Sequence, residues 1–266
     1  MDRWLEHLGD DDLALLGRAT GRRADPAQVE ALLADPAAYH AVFDPRDGPL
    51  LRASPFLAFA LAVHRTAADL EATAFVTERR GRQGRIAIFD AAALRAFLAA
   101  PARRLFLAEL LASYVRVASG SIWVRGDRGW RRRRYSDLDP VRLAALLEVA
   151  AEAERPGIWR RLGDLSLFLT GVFPAHAERL GVAPVQAGRL LRAAGLDRNA
   201  DEAGGGVALF ELLGRRWYRL AVAGAPGLQV VGEVADRFHH ARRVLNLVTE
   251  RYLFPHRDRW FPGQLA

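Results

Sequence analysis

The run Trp130-Arg131-Arg132-Arg133-Arg134-Tyr135 concentrates more chemistry than any other stretch of the chain. Arg125 and Arg128 precede it. In an extended strand alternate side chains point to opposite faces, so Arg131 and Arg133 line one side and Arg132 and Arg134 the other. Trp130 and Tyr135 flank these cations. Guanidinium groups fork onto phosphate oxygens, and aromatic rings stack on bases. The run therefore points to a polyanion, with nucleic acid as the leading reading. Arg79, Arg80, Arg82 and Arg85 supply a second basic patch. The competing reading is a solvated surface whose arginines pair with Asp127, Asp137, Asp139 and the acidic N-terminal helices.

Other groupings carry less. The stretch from Phe173-Pro174 to Leu190-Leu191 has the outline of a helix-turn-helix, with Gly181 in the turn and Arg189 and Arg192 as phosphate contacts. Pro184 and Gly188 suit a base-reading helix poorly, and an ordinary helical hairpin is the simpler reading. Glu233, Asp236 and His240 share one helix face at helical spacing, which is a weak metal-ligand pattern. His64, at the end of an apolar run, is a further weak candidate ligand. Asp10-Asp11-Asp12 reads as ordinary carboxylates at a helix start. No metal and no cofactor is predicted.

What is missing narrows the chemistry further. All 38 basic residues are arginine; lysine and cysteine are absent, and Met1 is the only methionine. That excludes a phosphate-loop lysine, a Schiff-base lysine, a thiol nucleophile, a thiolate metal site and a disulfide. No nucleophile elbow, Walker loop, dinucleotide glycine fingerprint or zincin helix is present. The reading leans to a non-catalytic protein, although a triad of scattered residues leaves no sequence trace. The first residues carry five carboxylates and no apolar core, unlike a secretory signal. With zero cysteine, that makes cytoplasmic the expected location, with no membrane partner.

The net charge of +7 is uneven. Residues 1–70 hold seven Arg against eleven acids, residues 71–134 fourteen against five, and residues 135–266 seventeen against fifteen. One basic segment thus follows an acidic one, and a field of one sign attracts an opposite partner. The acidic first quarter is itself a candidate for that role.

These residues must be positioned mostly by helices. Asp25-Pro26 and Ser54-Pro55 are helix starts, with proline at the first helical position. The second opens a helix over about Phe56–Glu71 that is apolar nearly all round, as a central buried helix should be. Asp44 to Pro49 is a breaker. Helices are expected over about Ala91–Ala99 (Asp90 as cap), Ala102–Ala118, Pro140–Ala151 (Ser136 or Asp139 as cap), Gly157–Thr170, Val207–Ala221 and Val230–Leu253. The polar, Gly-rich stretch Asp197–Gly206 reads as a linker. Two glycine-centred pairs of β-favouring runs, about 73–89 and 121–135, read as hairpins.

The expected fold is mainly α, with helical bundles and two short β-hairpins. Residues 1–119 form an N-terminal helical region, 120–138 an arginine-rich arm and 139–266 a C-terminal helical region, or all three are one continuous domain. The leading function is polyanion binding through the arm. The first alternative is a protein-interaction or regulatory module, which docks the arm on an acidic partner or a second copy, with the aromatic tail Phe254–Phe261 as another contact. The second alternative is a helical small-ligand or metal-binding protein.

Overall fold

The computed structural model describes residues 3–23, 25–43, 53–80, 84–117, 119–126, 129–180, 184–197, 205–254 and 260–261. Within the hairpins, the side chains of Glu78, Arg79, Arg80, Arg85, Ile86, Ile122, Val124, Arg125, Arg131, Arg133 and Arg134 lie outside that description. So do Arg82, Arg128, the breaker at 44–50, the stretch at 198–204 and the tail at 255–259. The described residues form thirteen α-helices and two two-stranded antiparallel sheets, which is the mainly helical fold with two hairpins that the periodicity predicts. Among them no helix is long and apolar enough to cross a membrane. The chain divides into two compact units: residues 1–115 with 243–260, and residues 116–242 with 261–266.

The first unit is built on α4 (Pro55–Glu71). The Ser54 hydroxyl accepts from the Leu57 amide at 3.1 Å, satisfying an amide that the first turn leaves free. Every side chain from Phe56 to His64 is buried, so polarity is tolerated only toward the helix ends. The helices α2 (Val29–Leu33), α3 (Pro36–Phe43), α5 (Ala91–Leu98) and α6 (Pro101–Ser113) pack on it. Asp12, in α1 (Asp10–Thr20), is buried rather than exposed to a cation. Its carboxylate accepts from the Ser54 amide at 2.9 Å and from the Gly9 amide at 3.4 Å, tying the start of α1 to the start of α4.

Three arginines of the basic segment are committed inside this unit. Arg95 donates to the Leu70 carbonyl in the last turn of α4 at 2.8 Å and to the Thr73 carbonyl just after it at 3.2 Å. Arg103 donates to Phe97 and Ala96 carbonyls, and Arg104 to those of Leu98 and Ala99 and to the Glu30 carboxylate. Cations at the C-terminal carbonyls of α4 and α5 satisfy orphan acceptors and complement the helix dipole. Asp90 is expected to cap α5, but its side chain makes no cap bond and instead accepts from Arg243 at 2.6 Å.

The second unit is centred on α8 (Arg155–Val172) and α11 (Gly206–Gly224). Their close contacts run in opposite order, Pro156 with Gly224, Gly163 with Tyr218 and Ser166 with Gly214, so the helices are antiparallel. A Cβ on Gly163 would lie 2.4 Å from the Tyr218 ring. That ring is fixed because its hydroxyl donates to Asp164 at 2.8 Å, and Arg160 Nε donates to the same carboxylate at 2.9 Å. The helices α9 (Pro174–Leu180) and α10 (Pro184–Ala193) do not form the tight pair that a helix-turn-helix needs. α9 packs on α8 and α11, whereas α10 packs on α7 (Pro140–Ala144) and α11. The close approach at Ala177 is to the start of α11, where a Cβ on Gly206 would lie 2.1 Å from the Ala177 carbonyl oxygen.

The expected helix over Val230–Leu253 is broken. α12 (Gln229–Asp236) ends at Arg237, whose φ of −116° and ψ of 32° leave the helical region. α13 (Phe238–Val248) then starts afresh and finishes in a π-helical turn, Thr249–Leu253. The break accompanies full burial of Phe238, which packs against Gly214 and sits 6.0 Å from the Tyr218 ring.

Candidate nucleic-acid interface

Strands β3 (Ser119–Gly126) and β4 (Gly129–Ser136) form the second hairpin. Its register closes on Gly126 opposite Gly129, as tight-turn chemistry around Asp127-Arg128 requires. Trp123 pairs with Arg132, Arg125 with Trp130 and Gly120 with Tyr135. Register partners share a face. Trp123, Trp130 and Arg132 are therefore on one face, with positions 121, 125 and 134, and Tyr135 is on the other.

On the first face both indoles stand in solvent, Trp123 at 64 % and Trp130 at 66 % exposure. Among the described residues neither ring has a hydrogen-bonding, stacking or cation partner. Exposed Arg132 donates from Nε to the Ser121 hydroxyl at 2.7 Å, which aligns its guanidinium along the sheet. On the opposite face the Tyr135 ring covers Gly120, where a Cβ would be 3.1–3.2 Å from it. Tyr135 is thus half-buried and packed on its cross-strand partner, not freely presented like Trp130.

The carboxylates that follow β4 are engaged elsewhere. Asp137 accepts from Arg161 Nη2 at 3.0 Å. Asp139 caps α7, accepting from the Val141 and Arg142 amides at 3.1 and 3.0 Å, and it pairs with Arg142 Nε at 3.0 Å. Among the described residues no carboxylate reaches Arg132. α7 packs against β4, and the two elements border a cleft of about 390 Å³. Ser119, Ser121, Arg132, Tyr135, Ser136 and Arg142 are among the residues that line it. Hydroxyl and guanidinium donors without an unengaged acid suit a phosphate group.

The first hairpin, β1 (Val76–Arg80) with β2 (Gly84–Ile88), has a comparable element in the other unit. Arg79 pairs with Arg85 in its register. At its base Phe75 and Phe89, 5.7 Å apart, are 45 % and 81 % exposed. Trp123, Phe75 and Phe89 are absent from the residues that sequence reading selects. For Trp123 the signal is register, which sets it opposite Arg132 once the strand pairing is known; Phe75 and Phe89 flank β1 and β2, and no local pattern marks them as exposed.

Among the described residues the sequence-predicted metal candidates Glu233, Asp236, His240 and His64 do not form one cluster. The helix breaks at Arg237, between Asp236 and His240, and Asp236 pairs with Arg219 at 3.1 Å. His64 is 6 % exposed, lies 5.3 Å from the Trp4 ring and, among the described residues, has no hydrogen-bond partner for Nε2. Burial, then the nearby Arg104 charge, lowers its pKa to about 3. It lines a cleft of about 620 Å³ with Glu30, Arg95 and Arg104, walled mainly by alanines. Of the described rings of the tail, Trp260 packs on Phe59 at 5.2 Å and Phe261 on Phe168 and Phe173 at 5.2 and 5.7 Å, whereas Phe254 is exposed.

No protein-family model, curated protein or solved structure matches the chain.

Proposed function

We propose that this chain is a non-catalytic protein that binds a polyanion, nucleic acid, through the β3–β4 hairpin. One observation carries the reading. Trp130 and Arg132 are exposed on one hairpin face, while the two nearest following acids, Asp137 and Asp139, are committed to Arg161 and to α7. Phosphate neutralisation by arginine supplies affinity, and a free ring supplies base contact. The four consecutive arginines of β4 provide the charge, and the Ser- and Arg-lined cleft beside α7 provides donors for a backbone phosphate. The first hairpin, with Arg79, Arg80, Arg82 and Arg85, is a second patch of the same kind.

Filter binding of DNA and RNA at two salt concentrations tests this. Affinity should fall steeply as salt rises, because bound phosphates release counterions. Replacing Arg131–Arg134 together with serine should abolish retention on a DNA or heparin column at moderate salt. Each lost phosphate contact should flatten the logarithmic salt slope by about 0.7–0.9. Retention that the fourfold variant leaves undiminished would remove the hairpin from the interface. A salt-resistant dimer in light scattering, without nucleic-acid binding, would favour the protein-interaction alternative.

A further inference from the structure

We infer that the hairpin selects single-stranded over duplex nucleic acid, with Trp123 and Trp130 each stacking one unpaired base. This rests on the polyanion reading above and deepens it. The two indoles are on adjacent strands of one face, with Trp123 opposite Arg132 and Trp130 two positions along from Arg132. That makes them a diagonal pair, with side-chain origins about 7–8 Å apart. Both are about two-thirds exposed, and among the described residues neither touches the other or any third ring. Each therefore exposes indole surface to solvent.

The spacing discriminates between ligands. Successive bases in a duplex strand are stacked about 3.4 Å apart, and their faces are sealed against one another. Side chains rooted at about twice that separation do not match the spacing of neighbouring stacked bases. An extended strand, with its bases splayed apart, can place one base on each ring. The surroundings separate this surface from a protein-docking patch. An apolar hot spot is walled by water-excluding neighbours. Here the positions beside the indoles on the same face are Ser121, Arg125, Arg132 and Arg134. Exposed rings on a face that also carries Arg132 match a ligand that alternates phosphates with flat bases. The cleft of Ser119, Ser136, Arg132 and Arg142 lies at the far end of the hairpin from its turn, where the backbone of such a strand can continue.

The test uses the full chain with three labelled probes: a single-stranded deoxyoligonucleotide, its RNA counterpart, and a blunt duplex of equal length. At one salt concentration a single strand should bind more tightly than the duplex, and its binding should quench tryptophan emission. Trp123→Ala and Trp130→Ala should each weaken single-strand binding by about tenfold while leaving the salt slope unchanged, since an indole releases no counterions. Trp123→Tyr with Trp130→Tyr should restore most of the loss, which a folding defect would not allow. Equal or tighter duplex binding, or an alanine double variant that binds the strand like the parent, would overturn the assignment and leave the polyanion reading standing. If the parent chain binds none of the three probes at low salt, both fall together.

Discussion

His64 is neutral because it is buried, and that has a cost in acid. Its pKa in the folded chain is about 3, against an ordinary 6.5. Between those values the unfolded chain takes up a proton that the folded chain refuses, so stability falls as pH drops through the window. Above pH 6.5 both states carry neutral imidazole and the effect vanishes. The expected slope from this group is about 1.4 kcal/mol per pH unit. His64→Leu should remove it, and urea melts of parent and variant at pH 7 and pH 5 check this. Identical pH dependence in the two proteins would mean that the imidazole is not as enclosed as its surroundings imply. The sequence places His64 in an apolar helix but shows neither Trp4 over it nor Arg104 beside it, because both come from other elements. For the same reason Arg95, Arg103 and Arg104 count as basic charge in the sequence, although folding commits them to carbonyls. Composition sums charge without knowing which cations are consumed internally.

Between elements, close approach decides. α8 and α11 meet through Gly163 and Gly214, where an added Cβ would fall 2.4 Å from Tyr218 and 2.5 Å from Phe238. Tyr218 cannot swing aside without losing Asp164. Gly163→Ala should therefore destabilise by about 1–3 kcal/mol, the usual scale of overpacking. Gly157→Ala, where nothing lies within 4 Å, should be neutral or stabilising by about 0.4–1 kcal/mol. Calorimetry of the pair separates packing from propensity, and a similar Tm for both would remove the packing explanation. At this scale much of the structure is legible in advance. Ser54 and Asp139 cap as their side-chain chemistry demands, and both hairpins close where glycine permits. The break at Arg237 is not legible, because Phe238 is pulled inward by groups on α11 that no local pattern reveals. Trp123 is missed for a related reason. β4 advertises itself by four arginines, whereas β3 reads as an ordinary apolar strand until its register sets Trp123 opposite Arg132.

Across the whole molecule the notable feature is that neither unit is continuous. The first comprises residues 1–115 and takes back 243–260. In the returning segment Tyr252 donates to Asp69 and lies edge-on to Tyr39, and Trp260 packs on Phe59. A chain ending after Arg242 should lose these contacts. It should melt at lower temperature and bind a hydrophobic dye that the full chain excludes; a dye-negative truncation with unchanged melting would show that the segment is dispensable. No composition shift marks 243–260 as belonging with the beginning of the chain. Its apolar residues look like those of any amphipathic helix, and their partners lie nearly two hundred positions earlier.

On the ribosome, this arrangement imposes a delay. The helix Pro55–Glu71 emerges early, but its last covering residues follow only after 116–242 have been made. At about 5–20 residues per second that interval is on the order of 6–25 seconds. Throughout it the nascent chain holds an unfinished apolar surface, open to chaperones and to neighbouring chains. Synthesis rate, rather than equilibrium stability, is then the natural control on soluble yield.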